Sequence, residues 1–157
     1  MIRLAALALL MAAPASAETL CANAPTPGFA AGQAPLSDRL VLGRAVELGL
    51  KPVGGVSFPV PLTRHADAGG LGGVFPLTVP VAGTYRILLS GRAWIDLVRD
   101  GAPLVSTEHQ HGAPCSGVAK IVAFRLEAGR YDVQLSEAAA RTITAKVSRE
   151  AVLPVSQ

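Results

Sequence analysis

Short runs in which apolar and polar residues alternate dominate the chain from Arg39 onward, and they predict β-strands. The stretch AVELGL at residues 45–50 alternates valine and leucine with glutamate and glycine, which is the period of two typical of a half-buried strand. Further runs follow at the spacing of an all-β domain. The strands predicted after the first are Val56–Val60, Phe75–Val79, Tyr85–Leu89, Ala93–Val98, Leu104–His109, Ala119–Leu126, Tyr131–Leu135 and Thr142–Val147.

Turn-forming residues separate these strands. Asp100-Gly101 predicts a tight hairpin, because both central positions of a type I′ turn need φ > 0. Residues 64–73, RHADAGGLGG, predict a glycine-rich loop. Prolines within and just after Val56–Val60 place that strand toward a sheet edge. Residues 136–141, SEAAAR, are compatible with a hairpin loop or a single turn of helix.

One sequence motif occurs twice. Val81–Ile87 (VAGTYRI) is echoed by Glu127–Val133 (EAGRYDV), and each copy lies between two predicted strands. In both copies a glycine permits a turn, and a tyrosine two residues later can bury its ring while its hydroxyl bonds to the backbone. This is the tyrosine-corner arrangement of Greek-key sandwiches. The repeat therefore predicts residues that close the fold, not a ligand site.

These features together resemble the pre-peptidase C-terminal and carbohydrate-binding-like β-sandwiches of secreted bacterial proteins. The resemblance rests on the two Ala-Gly-x-Tyr segments, the strand carrying Trp94 and Asp96, and the Asp-Gly hairpin. It covers about half of the chain that remains after the predicted signal peptide, and it implies architecture, not activity. We expect an all-β fold: a single antiparallel β-sandwich of about eight strands, jelly-roll or Greek-key in topology, with an extended N-terminal arm.

The N-terminus predicts export from a bacterial cell. Arg3 precedes an apolar run from Leu4 to Ala13, and Ala15-Ser16-Ala17 supplies the small residues of a cleavage site. The run is shorter than the roughly 20 apolar residues that a membrane-spanning helix needs. The predicted organisation is a signal peptide at 1–17, an arm rich in proline and alanine at 18–38, a β-sandwich domain at 39–150 and a tail at 151–157, with a periplasmic or secreted destination and no membrane anchor after cleavage.

Composition argues against a nucleic-acid partner. The chain has 14 basic and 11 acidic residues, and its basic residues are scattered singly rather than clustered. Aromatic residues make up only 4% of the chain, which leaves little surface for base stacking.

Two cysteines, Cys21 and Cys115, are predicted to form a disulfide, because an even number of cysteines in an exported protein indicates pairing. Closing so long a loop would stabilise the fold by about 4 kcal/mol in the chain-entropy model. The alternative is an unpaired Cys115 thiolate that binds a metal.

Glu108-His109-Gln110-His111 is the densest group of polar residues. If the strand continues through it, His109 and His111 project to one face, where two imidazoles can chelate one transition metal such as Fe, Cu or Zn with a third ligand. One alternative is that both histidines are exposed to solvent and have no function. Another is that they sense pH or contact a ligand. The candidate further ligands are His65, Asp67, Asp96 and, for copper, Cys115.

A second resemblance bears on the same residues. The stretch from AWIDLVRDG to GRYDVQLS is similar to small exported proteins named homogentisate 1,2-dioxygenase, which implies a metal-dependent oxygenase. His109-Gln110-His111 resembles the His-x-His of a cupin barrel that holds iron with two histidines and a glutamate. The glutamate expected a few residues later is missing, since residues 112–117 are GAPCSG. A second cupin motif is also missing from the sequence.

Trp94 is the only tryptophan, and its strand also carries Asp96. The ring packs beside the core in one interpretation; in the other it is exposed as a platform for a sugar ring, with Asp96 as a polar contact. The sequence contains no Gly-x-Ser-x-Gly elbow, P-loop or dinucleotide-binding motif.

The function favoured by these features is a non-enzymatic periplasmic binding or accessory module whose partner is a small molecule, a glycan or an envelope protein. A second hypothesis is a small metalloprotein or metal-dependent dioxygenase that uses His109 and His111. A third is a structural envelope protein that engages another protein through a sheet edge.

Overall fold

The computed structural model of the chain describes Phe29, residues 34–63 and residues 69–151. These residues contain eleven β-strands and one 3₁₀ turn at Val53–Gly55. The strands are β1 (Leu36–Ser37), β2 (Ala45–Gly49), β3 (Lys51–Pro52), β4 (Leu71–Val79), β5 (Gly83–Leu89), β6 (Trp94–Arg99), β7 (Ala102–Leu104), β8 (Glu108–Gln110), β9 (Lys120–Leu126), β10 (Gly129–Ala138) and β11 (Thr142–Arg149).

Two packed sheets form a β-sandwich. The six-stranded sheet has the order β1-β2-β11-β5-β9-β8, and the five-stranded sheet has the order β3-β4-β10-β6-β7. All strand pairs are antiparallel except β1 with β2. The predicted antiparallel β-sandwich is confirmed. The predicted count of about eight strands is too low, because β1, β3, β7 and β8 have only two or three residues each and are too short to show a period of two.

The core lies between the facing sides of the two sheets, as the alternating pattern requires. On β5, for example, Tyr85, Ile87 and Leu89 are buried while the residues between them are partly exposed. Burying one such side chain is worth roughly 1.5–3 kcal/mol. Strands β4, β9, β10 and β11 contribute in the same way. No helix in the described ranges is long and apolar enough to cross a bilayer.

Both copies of the repeated motif form the predicted tyrosine corners. The Tyr85 hydroxyl donates to the Val81 carbonyl at 2.7 Å, and the Tyr131 hydroxyl donates to the Glu127 carbonyl at 2.8 Å. Both rings are buried. At the first corner the chain passes from β4 in the five-stranded sheet to β5 in the six-stranded sheet, and at the second it passes from β9 back to β10. The two corners therefore connect the two sheets.

An arginine covers the glycine of each corner. Arg149 Nη2 donates to the carbonyl of the alanine before Gly83 at 2.7 Å, and Arg99 Nη2 lies 3.5 Å from the corresponding carbonyl before Gly129. A Cβ atom at Gly83 would lie 2.7 Å from Arg149 Nε, and one at Gly129 would lie 3.2 Å from Arg99 Nη2. A guanidinium therefore lies close to each corner glycine, and at Gly129 the backbone itself favours glycine, with φ 155°.

The corners belong to two equivalent three-strand units that interleave. Strand β10 lies between β4 and β6, whereas β5 lies between β9 and β11. Exchanging β4-β5-β6 with β9-β10-β11 therefore reproduces the same strand neighbours. Arg99 and Arg149 also occupy equivalent positions, since each is the last residue of the third strand in its unit. The repetition visible in the sequence is thus the local sign of a pseudo-twofold arrangement.

Three sequence predictions about local structure need correction. Leu104–His109 is not one strand, since β7 ends at Leu104 in one sheet and β8 begins at Glu108 in the other. Val56–Val60 is not a strand either; Val60 bonds to the side chain of Gln134 instead of to a neighbouring strand. The glycine-rich loop is shorter than predicted, because β4 already begins at Leu71. Residues 64–68 lie outside the described ranges.

Other local predictions are confirmed. Asp100 and Gly101 both have positive φ, at 51° and 74°, as a type I′ hairpin requires. Strand β10 extends to Ala138, so residues 136–141 contain no helical turn. The predicted signal peptide and, apart from Phe29, the arm before Ala34 lie outside the described residues, as does the tail after Ala151.

Replacing each corner tyrosine by phenylalanine removes one hydroxyl and little else. We expect Tyr85→Phe to lower the free energy of unfolding by about 1 kcal/mol, and Tyr131→Phe by about 2 kcal/mol. The difference arises because the Tyr131 hydroxyl also accepts a hydrogen bond from Arg99 Nη1 at 3.0 Å. Urea denaturation of the two variants measures it. Equal losses, or a larger loss at Tyr85, would contradict the role given to Arg99.

Candidate functional site

A cleft of about 440 Å³ lies at the end of the sandwich opposite the tyrosine corners. At the corner end Gly83 pairs with Leu126, whereas at the cleft end Leu89 pairs with Lys120. The side chains that carry chemistry in the cleft are Arg92, Trp94, His109, Gln110, His111, Lys120 and Glu137. The cleft therefore contains Trp94 and both histidines that the sequence proposed for separate sites.

A larger groove of about 580 Å³ lies between β1 and β4. Its lining consists mostly of glycines and apolar residues. Asp38 at its rim accepts a hydrogen bond from Arg39, and that bond lowers the pKa of the Asp38 carboxyl. Size favours this groove, but the density of aromatic, imidazole and charged side chains favours the smaller cleft as the candidate site.

The change of sheet after β7 brings the histidines to the cleft. Once the chain has crossed, β8 pairs with β9, and His109 stands directly opposite Val122. Val122 belongs to the core, and residues opposite each other in an antiparallel pair project to the same side. His109 therefore projects from the core-facing side of the sheet, at an edge strand where it remains exposed. The strand predicted through it was wrong in length, yet both histidines line one cleft.

Trp94 is half-buried at the start of β6 and is not part of the core cluster. Ile95 and Leu97 on the same strand point into the core, so Trp94 belongs to the outer face of the five-stranded sheet. Its indole Nε1 donates to Asp96 Oδ1 at 3.0 Å and to Thr63 Oγ1 at 2.9 Å. The ring is therefore held by hydrogen bonds at its polar edge.

Asp96 is buried and does not line the cleft. Its Oδ1 accepts a hydrogen bond from Thr63 Oγ1 at 2.5 Å, and its Oδ2 accepts one from the Thr63 backbone N–H at 3.3 Å. The carboxylate is thus occupied by Thr63 and Trp94. In this structure it positions the indole, and its oxygens face protein donors instead of the cleft.

The segment Val60–Thr63, here called the strap, crosses the outer face beside Trp94. Gln134 stands opposite Asp96 on β10. Its Oε1 accepts from the Val60 N–H at 3.0 Å, and its Nε2 donates to the Val60 carbonyl at 3.3 Å. A buried glutamine thus bonds both backbone groups of Val60, as a neighbouring strand would. Two side chains, Gln134 and Asp96, hold the strap.

Lys120 fixes the tryptophan from another direction. Its Nζ donates to the Ala93 carbonyl at 2.8 Å and lies 4.9 Å from the centroid of the Trp94 ring. An ammonium at this distance from an indole makes a cation–π contact. The ring therefore has a defined position before any ligand binds.

His111 has an oriented imidazole. Its Nδ1 lies 3.1 Å from the Ala119 carbonyl oxygen. Because a carbonyl can only accept, Nδ1 carries the proton in this contact. In the neutral ring Nε2 then has a lone pair available to accept a hydrogen bond.

No three His, Cys, Asp or Glu residues within the described ranges are placed to hold a metal ion together. His65 and Asp67 lie outside those ranges. Asp96 is occupied by its own hydrogen bonds. Cys115 is not a free cysteine, so it is not available as the thiolate of a copper site.

The loop that carries Cys115 is tightly organised next to His111. Cys115 has φ 63°. Ser116 Oγ donates to the Ala113 carbonyl at 2.6 Å and accepts from the Val118 N–H at 3.2 Å. Cys21 lies outside the described residues, so the pairing of Cys21 with Cys115 stays a prediction.

Sequence reasoning missed several residues of the cleft. Lys120 begins a strand that is otherwise almost entirely apolar, and this is a weak signal. Glu137 lies where the register between β10 and β4 shifts, with φ 57°, and such a bulge re-aims a side chain. Arg92 carried no signal, because only the fold brings it to the cleft, and Gln110 was noted only as the residue between the two histidines.

No family model, curated protein or solved structure matches this chain. The assignment of the fold to the β-sandwich class rests on the two packed sheets. The resemblances noted in the sequence stay predictions, and the role of the cleft has to be inferred from its side chains.

Removing the Asp96 carboxylate should release both Trp94 and the strap. We expect Asp96→Ala to lower the free energy of unfolding by about 1–3 kcal/mol, because buried donors lose their acceptor, and to shift Trp94 emission to longer wavelength. Asp132→Ala is the matched control, since Asp132 lies two residues before Gln134 on the same face of β10 and should change stability by less than about 0.5 kcal/mol. Unchanged emission in Asp96→Ala would show that the carboxylate does not position the ring.

Proposed function

We propose that this protein is a non-enzymatic binding module that holds a small ligand bearing several hydroxyl groups, such as a sugar ring, against Trp94. The observation that carries the proposal is the convergence of β6, β8 and β9 on one cleft that combines an indole with two imidazoles and an amide. The apolar face of a sugar ring can pack on an indole, and its hydroxyl groups need polar partners around the edge.

The hydrogen-bonding groups of the cleft suit hydroxyl groups. His111 offers a lone pair at Nε2 in its neutral form, as a consequence of the contact between its Nδ1 and Ala119. His109 and Gln110 add groups that donate or accept. The cleft, at about 440 Å³, falls within the range of roughly 300–1,000 Å³ usual for small-molecule sites.

Rigidity supports the same role. The Trp94 ring is bonded at its N–H by Asp96 and Thr63 and contacted by Lys120. A ring that is already fixed loses little conformational entropy when a ligand binds. The tight loop of Cys115 limits the movement of the neighbouring His111 in the same way.

We also propose that the module works outside the cytoplasm, in the periplasm or beyond it. The support is the cleavage-site pattern at Ala15-Ser16-Ala17 and the proposed disulfide of Cys115, which is not a free cysteine, since disulfides persist mainly in oxidising compartments.

Trp94 emission reports directly on the cleft, since it is the only tryptophan. We expect at least one sugar of a panel of neutral and acidic mono- and disaccharides to change this emission in a saturable way. The double variant His109→Ala/His111→Ala should bind about tenfold more weakly, because two hydrogen bonds are lost. Arg125→Ala, on the exposed outer face of β9, should bind as the wild type does.

Two outcomes would contradict the binding proposal. One is the absence of any emission change or calorimetric heat across the panel. The other is a response that disappears on treatment with a chelator and returns with added zinc, which would make the metal hypothesis the better account of His109 and His111.

Export has its own test. Protein recovered from an expressing bacterium should lack the first seventeen residues by intact mass, and a non-reducing digest should contain one peptide linking Cys21 to Cys115. An intact N-terminus with both sulfurs reduced would contradict the proposed location and the disulfide together.

A further inference from the structure

We propose that the ligand of this cleft carries an acidic group, a carboxylate or a phosphate, in addition to its hydroxyl groups. This inference rests on the proposed function and specifies the class of sugar. Its basis is the arrangement of charge in the cleft: Arg92 and Lys120 are cationic, and Glu137 is the one carboxylate among the described residues that line it.

Arg92 is the group that would bind the acid. It is exposed, and the salt bridges formed among the described residues involve Arg39, Arg86 and Arg99 instead. No described side chain hydrogen-bonds to its guanidinium. A guanidinium presents donors in a planar fork that matches both carboxylate and phosphate.

Arg86, by comparison, forms ion pairs within the protein. On the outer face of the six-stranded sheet it contacts Glu150 at 2.5 Å and Glu108 at 3.3 Å. Arg86 therefore has two carboxylate partners within the protein. Arg92 lines the cleft without an ion pair to a described residue, so its guanidinium can take a partner from the ligand.

Lys120 adds a positive charge at a defined place. Its ammonium is bonded to the Ala93 carbonyl and held 4.9 Å from the Trp94 ring centroid. Ala93 follows Arg92 directly in the chain, so both cations are tied to the segment that carries the indole. A sugar ring packed against Trp94 would therefore place its substituents close to two positive charges.

Glu137 adds a negative charge to a cleft that is also lined by Arg92 and Lys120. The bulge in β10 turns it toward the cleft from the side opposite β8 and β9. A carboxylate there accepts hydrogen bonds from hydroxyl groups and repels a second acid. The ligand would thus place a hydroxyl group, and not its acid, at Glu137.

Paired sugars that differ only in the acid test this inference. Binding of glucuronate and glucose, galacturonate and galactose, and glucose 6-phosphate is measured by Trp94 emission and by calorimetry at low salt and at 0.5 M NaCl. We expect an acidic sugar to bind about tenfold more tightly than its neutral partner at low salt. The difference should shrink at high salt because the charges are screened. Comparing glucose 6-phosphate with glucuronate shows whether the cleft prefers a phosphate or a carboxylate.

The variants assign the effect to residues. Arg92→Gln should weaken binding of the acidic sugar about three- to tenfold and leave the neutral sugar unchanged, whereas Arg125→Gln should change neither. Glu137→Gln should strengthen binding of the acidic sugar, because a repelling charge is removed. Urea unfolding of each variant checks that the fold is retained.

The outcomes separate the two proposals. If the neutral sugars bind as tightly as the acidic ones, or if Arg92→Gln affects both equally, the acidic ligand is wrong while the sugar-binding cleft stands. If no sugar of either kind binds, both proposals fail. If acetate competes as well as glucuronate, the cleft recognises a charge alone, and the acidic-sugar class is overturned.

Discussion

The two tyrosine corners, each with a buried ring and a hydrogen bond to the carbonyl four residues earlier, are the constraint on which the architecture depends. They hold the chain at the two points where it leaves one sheet and enters the other. The strands that follow, β5 and β10, each lie between two strands of the opposite unit. Neither unit can complete its sheet alone, so the corners fix the sandwich only when both units are present. Such contacts are far apart in sequence and are expected to form slowly.

This arrangement also explains where a site can form. At the corner end, tyrosine, glycine and arginine fill the junction between the sheets. At the other end the chain also changes sheets, through residues 90–93 between β5 and β6 and residues 139–141 between β10 and β11, and the loop of Cys115 lies before β9. Loops tolerate varied side chains, because no ladder has to be maintained there. Trp94, His109, His111 and the charged side chains that line the cleft meet at that end.

The sequence predicted features that depend on neighbours in the chain. The tyrosine corners, the Asp100-Gly101 turn and the alternation of the long strands are local, and all three are present in the structure. The split between β7 and β8 was missed because Leu104–His109 keeps a strand-like composition although its middle residues change sheets. Lys120, Glu137 and the Asp96–Thr63 contact depend on residues about 30 or more positions apart, and no periodicity reports such contacts.

The strap explains why polar residues are buried on a face that alternation assigns to solvent. Asp96 and Gln134 occupy outward positions of β6 and β10, where a polar residue is ordinary, and their burial could not be read from the pattern. The strap lies over Asp96 and Gln134, and its backbone groups need hydrogen-bond partners. Gln134 bonds to the backbone of Val60, and Asp96 bonds to the backbone of Thr63. Because the same Asp96 also bonds the Trp94 indole, the fold ties its covering segment to the ring in the cleft. Because Thr63 of the strap also accepts from the indole N–H, a ligand that packs on the ring would stabilise the strap through Thr63 and Asp96.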